Sequence, residues 1–403
     1  MMSTRMSEIY KKTTGSPPVF LQMGFRTFFL GAAGFAFFSV LLWMGMYAWG
    51  WALQPKHLAP VMWHAHEMVF GYSIAVVTGF LLTAVKNWTG IQTLQGYPLL
   101  GLFFCWMAAR LLPFFGGIIS LEVVAITDNL FLLLLLFSVV SPLVKVKQWR
   151  NNGIAAIMLL FLISNGVFYL GALGIMPNGM HYGLYSGFYL ILTLIFIMGR
   201  RVIPGFIERG VDSPVRLKNR KWLDVAVLVI FLLFWVAELL IPFSLLSAGL
   251  AGVLFVLHSI RLWGWHTPEL WRKPLLWVLF LAYALIVLGF ALKAVSAVYA
   301  IFPYLAIHAF AFGGIGMMTL GMMSRVSLGH TGRNLREPPQ SLFWVFSTLF
   351  CGTLIRVIIP LLAPSHYPLW IVLSQILWLL AFGMFLLIFV PILISPRIDG
   401  RTG

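Results

Sequence analysis

Acidic residues and cysteines are both scarce in this chain. Its 403 residues include only 11 Asp and Glu against 27 Lys and Arg, and charged residues make up 9% of the whole. A soluble domain usually carries about 25% charged residues, so water cannot be the solvent for most of this surface. The two cysteines, Cys105 and Cys351, lie in separate apolar runs and form no CxxC pair. Their arrangement excludes the common cysteine-based zinc and redox motifs.

The shortage of acidic residues leaves a formal net charge of +16, which first suggests a nucleic-acid partner. However, the basic residues lie between apolar runs and never form a basic helix or arm interleaved with stacking aromatic residues. We therefore exclude nucleic acid as a partner. Lys and Arg in short loops instead mark the cytoplasmic side of a membrane protein.

Long apolar runs dominate the sequence. Hydrophobic residues account for 61% of the chain, and the mean hydropathy is +0.95. Backbone groups inside a lipid bilayer must be hydrogen-bonded within the protein, which leaves only helices or closed barrels. Because the runs are continuous rather than short and alternating, helices are favoured. The sequence thus predicts an all-α fold, a polytopic membrane bundle with the lipid bilayer as its main partner.

Twelve apolar runs are long enough to be transmembrane helices, each of which needs about 20 apolar residues to cross a bilayer. The boundary between the seventh and eighth runs depends on Pro242, because proline interrupts a helix. The predicted spans cover approximately residues 25–51, 60–84, 98–115, 118–144, 153–173, 180–199, 222–240, 242–262, 275–295, 298–322, 341–362 and 368–394.

Basic residues concentrate in the loops that follow even-numbered spans. Seven of them lie between residues 200 and 221, whereas the loops after odd-numbered spans carry almost nothing but Lys56. This pattern predicts that both termini are cytoplasmic. The predicted organisation is a cytoplasmic N-terminal segment at 1–24, a twelve-helix transmembrane domain at 25–394 and a cytoplasmic tail at 395–403.

An ionisable side chain inside a membrane span is costly, so each one is a candidate functional residue. The segment Trp63–Glu67, near the outer end of the second span, is the most informative. At about 100° per residue, His64 and His66 point about 200° apart, whereas His64 and Glu67 share a face. The two histidines can serve two sites, or one site and a hydrogen-bonded relay. Glu67 would then fix an imidazole tautomer or carry a proton. The alternative is an interfacial histidine pair bonded to loop carbonyls.

His308 is an isolated histidine within the strongly apolar tenth span. The glycines that follow it, Gly313, Gly314 and Gly316, allow the close approach of a neighbouring helix or of a flat ring. These features predict an axial haem ligand. A histidine satisfied within ordinary helix packing is the alternative.

Three cations on the outer side of the predicted bundle, Arg110, Lys293 and Arg356, could bind haem propionates. Ion pairing without any cofactor would explain them equally well. The acidic residues available for such pairs are Glu122, Asp128 and Glu238.

A second group of basic residues is predicted on the inner side. It comprises His258 and His330, together with Arg261 and Arg325. Imidazole ligands suit copper, and thioether ligands also suit Cu(I). The four methionines between residues 317 and 323 are nevertheless interpreted as packing residues, because methionine in a bundle usually fills gaps.

Five segments occur together and in a specific order along the chain. They are Phe25–Phe29, Trp63–Met68 with Phe70–Gly71, Gly79–Gly90, Gly199–Pro204 and Met318–Arg333. In combination they resemble the NnrS family of bacterial membrane proteins, and the resemblance extends from near the N-terminus to about residue 333.

The resemblance implies twelve transmembrane helices, bound haem b and copper, and a role in denitrification or in defence against nitrosative stress. Phe280 or Leu281 stands where the ninth helix of the family often carries a histidine, so no ligand is expected from that helix. Five histidines match those of the family and are the implied metal ligands: His64, His66, His258, His308 and His330.

Different classes of function remain open. The first is an oxidoreductase or other haem–copper protein acting on nitric oxide or iron-nitrosyl species. Ferrous haem would bind nitric oxide there, Glu67 would donate protons, and a quinol or a periplasmic protein would donate electrons. The second is a secondary transporter, whose buried ionisable groups would couple to protons, although no inverted repeat is evident. A haem-based sensor without turnover would use the same histidines as the first class.

Overall fold

The computed structural model describes residues 17–147, 151–242, 244–297, 299 and 304–400. Within these ranges the secondary structure is helical and contains no β-strand, which confirms the predicted all-α fold. The predicted N-terminal segment and C-terminal tail fall partly outside the described residues, at 1–16 and 401–403.

Twelve helices in the described part of the chain are long and apolar enough to cross a membrane, as predicted. The seventh and eighth are separate helices, as the proline between them indicated. The twelve are α1 (Gly24–Trp49), α2 (Pro60–Thr89), α3 (Tyr97–Phe115), α4 (Leu121–Lys145), α5 (Gly153–Ala172), α6 (Gly179–Gly210), α7 (Lys221–Leu240), α8 (Leu245–Trp265), α9 (Pro274–Val295), α10 (Tyr304–His330), α11 (Ser341–Leu362) and α12 (Pro364–Ile394).

Two helices continue furthest beyond their predicted ends. The sixth predicted span stops at residue 199 and the tenth at residue 322, whereas α6 continues to Gly210 and α10 to His330. Hydropathy does not detect these last turns because they carry arginine and other polar side chains, although helical hydrogen bonding continues through them. His330, which lies beyond the predicted end of the tenth span and was thus expected in the loop that follows it, is instead the last residue of α10. The predicted start of the tenth span, at 298, lies outside the described residues.

Helices α2, α9 and α10 form the centre of the bundle. In the most apolar stretch of α2, 83% of the residues are buried, compared with 33% in α3 and in α8. Helix α10 packs against α9, and α2 packs against α1, α4 and α6. The peripheral helices leave apolar side chains exposed, as expected for surfaces that face lipid tails.

The beginning of α1 and the end of α12 lie side by side. Arg26 of α1 is buried and donates hydrogen bonds to the carbonyl oxygens of Leu393 and Ser395, both at 2.8 Å. We call this end of the bundle the terminal side and the other end the opposite side. That the terminal side faces the cytoplasm stays a prediction.

Both central helices that carry candidate histidines change from α-helical to π-helical geometry directly after a histidine. In α2 the π-helical segment is Glu67–Ser73, and in α10 it is Ala309–Gly316. Short π-helical segments within α-helices occur frequently at functional sites. The two segments therefore draw attention to His66 and His308, which immediately precede them.

Candidate functional site

Helix α2 directs its two histidines towards different neighbours. His64 contacts Trp43 of α1, whereas His66 contacts Asn165 of α5. The separation agrees with the rotation of an α-helix. Glu67, however, bonds to His66 and does not share the side of His64 as predicted. The carboxylate of Glu67 instead accepts a hydrogen bond from Arg110 of α3.

His64 has an unsatisfied nitrogen. Its ring stacks on the indole of Trp43, with the centroids 4.8 Å apart and the planes 6° from parallel. The Nδ1 atom is buried and has no hydrogen-bond partner. Leaving a buried polar group unsatisfied costs about 1–3 kcal/mol, so this atom needs an explanation, such as a ligand.

The neighbours of His308 fix its tautomer. Its Nδ1 lies 2.7 Å from the carbonyl oxygen of Tyr304, and its Nε2 lies 3.1 Å from Nη2 of Arg356. Because a carbonyl only accepts and a guanidinium only donates, Nδ1 carries the proton and Nε2 carries the lone pair. A metal-ligating histidine commonly has this arrangement, with its other ring nitrogen donating to a carbonyl. Here Arg356 occupies the lone pair of Nε2.

Arg356 connects these residues into one group on the opposite side of the bundle. Its Nη1 donates to the hydroxyl of Tyr367 at 3.1 Å, and its positive charge acts on both His64 and His308. The two imidazoles are also electrostatic neighbours of each other. We call the following residues the His64–His308 group: Trp43, His64, His308, Arg356 and Tyr367.

On the other side of α2, Arg110 of α3 bridges two carboxylates. Its Nη1 donates to Oε2 of Glu67 at 2.8 Å, and its Nη2 donates to Oδ1 of Asp128 on α4. The hydroxyl of Tyr169 donates to the other oxygen of Asp128 at 3.1 Å. All three charged residues are at most 2% exposed. Arg110 is therefore paired with acids, one of which, Asp128, the cofactor-free interpretation anticipated.

His66 completes this network, with both ring nitrogens next to oxygen atoms. Nε2 lies 2.9 Å from Oδ1 of Asn165, whose Nδ2 donates to Asp128, so Nε2 must be a donor. Nδ1 lies 3.2 Å from Oε1 of Glu67. Consequently one proton is held between His66 and Glu67, on either the imidazole or the carboxyl. Metal binding through His66 would require one of these hydrogen bonds to break. We call His66, Glu67, Arg110 and Asp128 the His66 network.

Lys293 is also paired with an acid. Its Nζ lies 2.6 Å from Oε2 of Glu238. The hydroxyl of Tyr189 donates to the same oxygen, and the hydroxyl of Ser247 donates to Oε1. A cavity of about 440 Å³ adjoins this pair and extends to the residues just before His308. Its lining comprises His181, Tyr185, Glu238, Pro242, Lys293, Tyr304 and Ile307.

His258 is a residue of α8, and aromatic rings from other helices surround it. Its ring is nearly parallel to that of Phe290, with the centroids 5.3 Å apart and the planes 8° from parallel. Its Nδ1 is 2.6 Å from the hydroxyl of Tyr283, while Nε2 is buried without a hydrogen-bond partner. Arg261 donates to the same hydroxyl and to Asp224.

The predicted inner-side group forms only in part, because His258 and Arg261 both contact the hydroxyl of Tyr283 whereas His330 has other neighbours. His330 packs against Phe25 of α1 at 5.5 Å, and its carbonyl accepts a hydrogen bond from Arg397. It shares none of these contacts with His258. Among the described residues, no three His, Cys, Asp or Glu side chains come together as they would around one metal ion.

The glycines after His308 accommodate neighbouring helices. A Cβ atom at Gly314 would lie 2.4 Å from Cγ1 of Ile286 on α9, and one at Gly313 would lie 2.7 Å from Cγ2 of Thr353 on α11. Close helix packing, the alternative considered for this stretch, therefore explains both glycines.

Sequence reasoning missed two residues of α5 that complete the His66 network. Asn165 and Tyr169 both bond to Asp128, at 3.2 and 3.1 Å. They are four residues apart, so they lie on one face of an otherwise apolar helix. That spacing was the available signal, but neither side chain is ionised at neutral pH, and a search for charged residues passes over them.

The profile of the NnrS family, described as NnrS protein, matches residues 19–397. The chain belongs to the NnrS family. The match runs from just before α1 to just after α12, so all twelve helices and both groups around α2 lie within it. It confirms the resemblance seen in the five sequence segments. No curated protein matches the chain.

Proposed function

We propose that this NnrS-family membrane protein binds haem b and acts on nitric oxide in the bacterial inner membrane. Membership of the family and twelve membrane-spanning helices support the general class. The observation that carries the proposal is the His64–His308 group, in which His308 is hydrogen-bonded to Arg356 and His64 of another central helix lies within the field of the same guanidinium.

The residues of this group fit a haem. His308 would hold the iron through Nε2, because the carbonyl of Tyr304 already fixes the tautomer that leaves this atom its lone pair. Arg356, which has no acidic partner among the described residues, would then bind a propionate. The buried Nδ1 of His64 offers a further donor atom beside them. When bound, ferrous haem would supply an iron that binds nitric oxide.

The residues present do not fit a copper centre in the same way. His258 has a buried free Nε2, but aromatic rings surround it and no group of three ligands exists in the described part of the chain. We therefore derive no step through copper, which remains a prediction from the family resemblance.

The His66 network would supply protons to a reduction. Two nitric oxide molecules and one quinol yield nitrous oxide, water and a quinone, so two electrons and two protons are transferred. Glu67 and His66 share a proton only a few residues from His64 along α2. In this role Glu67 is the proton-donating residue, held in place by Arg110.

The test is to purify the full chain in mild detergent and record reduced-minus-oxidised and nitric-oxide difference spectra, with iron and copper measured on the same sample. We expect haem in the native chain, and its loss in His308→Ala. His366→Ala is the matched control, because His366 is an exposed histidine on the same side of the bundle. Glu67→Gln should retain haem. With quinol as the electron donor, we expect this variant to consume nitric oxide at least about a hundredfold more slowly than the native chain.

Three results would change the proposal. Full haem content in His308→Ala would show that the ligand assignment is wrong. A haem-containing protein that binds nitric oxide without consuming it would be a sensor. A well-folded chain without haem, from cells supplied with haem and iron, would leave a secondary transporter as the leading function.

A further inference from the structure

A basic cavity lies on the terminal side of the bundle, away from both groups around α2. It has a volume of about 510 Å³ and is enclosed by the end of α6, the start of α9, the end of α10 and the segment that follows α10. No Asp or Glu lines it. Five basic side chains do: Arg209, Lys273, Arg325, Arg333 and Arg336.

Arg325 is the least expected of these residues because it is only 8% exposed. Its guanidinium carbon lies 3.8 Å from the ring centroid of Phe206, and it is subject to the positive charge of another cation, Arg209. Within the described ranges its side chain has neither a hydrogen bond nor an ion pair. A buried charge is normally compensated by a counter-ion, and stacking on an aromatic ring does not replace one.

Arg333 is held at the edge of the cavity by the turn that ends α10. Gly332 has φ +80°, a conformation that glycine adopts without strain, and the next main-chain N–H donates to the carbonyl of Leu328 at 2.9 Å. The Nη1 atom of Arg333 is buried and has no hydrogen-bond partner. Thus a second arginine of the cavity also lacks an acceptor.

The acidic residues nearby are bound to other groups. Asp212 pairs with Lys273 at 3.2 Å, Asp399 pairs with Arg397 at 2.6 Å, and Glu337 lies 3.4 Å from Asn334. Among the residues that the structure describes, Lys273 is therefore the only one of the five cations with an acidic partner. The predicted membrane orientation explains why basic residues lie on this side of the bundle, but it does not explain why Arg325 is buried.

We propose that this cavity binds a phosphate-bearing ligand. Guanidinium groups match the geometry of phosphate oxygens and donate paired hydrogen bonds to them. The volume lies within the range typical of small-molecule sites, about 300–1,000 Å³. Leu275, Leu276 and Leu335 form an apolar part of the wall, which suits a ligand with a phosphate at one end. The phosphate comes either from the headgroup of an anionic lipid or from a soluble phosphate ester.

The experiment measures both sources on the full chain. Binding of inorganic pyrophosphate is measured by calorimetry in nanodiscs of phosphatidylcholine, and bound phosphatidylglycerol is counted by native mass spectrometry after exchange into mixed vesicles. The variants are Arg325→Gln, Arg333→Gln and Arg336→Gln. Arg333 is half-buried and Arg336 is exposed. We therefore expect Arg333→Gln and Arg336→Gln to fold even if Arg325→Gln does not. Arg216→Gln is the matched control, an exposed arginine on the same side that does not line the cavity.

Each outcome decides the proposal. Pyrophosphate binding that Arg333→Gln weakens by about tenfold or more, with Arg216→Gln unchanged, supports a soluble phosphate ester. Absence of pyrophosphate binding, with phosphatidylglycerol retained by the native chain and by Arg216→Gln but lost from Arg333→Gln, supports a lipid headgroup. If neither probe binds, or if Arg216→Gln weakens binding as much as the cavity variants do, the proposal is wrong.

Discussion

Asp128 shows how a single buried carboxylate can be compensated inside a membrane protein. It is fully buried and accepts hydrogen bonds from Arg110, Asn165 and Tyr169, while His66 lies 3.6 Å away. With a proton on His66, the His66 network contains two positive and two negative charges and is neutral as a whole. Its cost in a low-dielectric interior is thereby reduced, although the ions remain sensitive to the loss of any partner.

We predict that Asp128→Asn destabilises the protein by about 3–5 kcal/mol, because Arg110 would keep its buried charge and lose one of its two carboxylates. Thermal unfolding in detergent measures this effect. Asp212→Asn is the matched control, since Asp212 is 72% exposed and its ion pair with Lys273 should contribute at most about 1 kcal/mol. Equal losses in the two variants would contradict the prediction.

At the scale of helices, the contact between α9 and α10 depends on the absence of side chains. A Cβ atom at Gly314 would lie 2.4 Å from the buried side chain of Ile286. Gly101 of α3 has nothing within 4 Å of the same position. Gly314 thus faces a neighbouring helix at close contact, whereas Gly101 does not.

We expect Gly314→Ala to lower the free energy of unfolding by about 1–3 kcal/mol, since α9 and α10 must separate to admit the methyl group. Gly101→Ala should be neutral or should stabilise by up to about 1 kcal/mol, because alanine is the better helix former. Unfolding followed by circular dichroism compares the two. A destabilising Gly101→Ala would show that the effect is not caused by helix contact.

Glu269, between α8 and α9, is hydrogen-bonded to the segment that follows α6. Its carboxylate accepts from the hydroxyl and main-chain N–H of Ser213 and from the N–H of Asp212. These hydrogen bonds, with the Ser213 hydroxyl as the largest contribution, hold the pKa of Glu269 below its ordinary value of 4.5. Because the pKa is lowered, the stabilisation from these hydrogen bonds is fully present when the pH is above the ordinary pKa. It is lost as the pH falls through the lowered pKa of Glu269.

The predicted consequence is that the Ser213 amide loses protection against hydrogen exchange under acidic conditions. Glu269→Gln should remove this pH dependence, because the variant carries no carboxylate at any pH. Glu337→Gln, which changes an acid on a different segment, should leave it intact. Protection that falls equally with pH in the native chain and in Glu269→Gln would rule out Glu269 as the cause.

The whole molecule is arranged as a central layer of α2, α9 and α10 inside a shell of helices that expose apolar side chains. Hydropathy predicted all twelve spans, because the cost of exposing a helix backbone to lipid leaves few alternatives. It could not predict the polar last turns of α6 and α10. Rotation along a helix separated His64 from His66 but gave the wrong neighbour for Glu67, because the pairing of Glu67 with Arg110 depends on how α2 and α3 pack.

The contacts between helices that are distant in sequence were beyond prediction. The sequence predicted that Arg110 and Lys293 could form ion pairs with acidic residues, but not with which ones. The hydrogen bond between His308 and Arg356 depends on how α10 and α11 pack. The grouping of His258 with His330 was wrong for the same reason: both lie near one end of a helix, but the packing of α8 and α10 gives them different neighbours.

The predicted orientation of the whole bundle can be tested with single cysteines. We expect Lys218→Cys, in the segment after α6, to react with a membrane-impermeant maleimide only after the cells are opened. Lys56→Cys, between α1 and α2, should react in intact cells. The comparison is made in a chain whose two native cysteines have been replaced by alanine. The reverse labelling pattern would show that the termini are periplasmic.

The contact of Arg26 with the carbonyls of Leu393 and Ser395 has a consequence for synthesis. Leu393 and Ser395 follow Arg26 by 367 and 369 residues, so Arg26 is synthesised long before these two acceptors exist. The contact between α1 and α12 at this end of the bundle therefore forms only after helices α2 to α11 have been made. A chain that stopped before the end of α12 would insert α1 without these two hydrogen bonds.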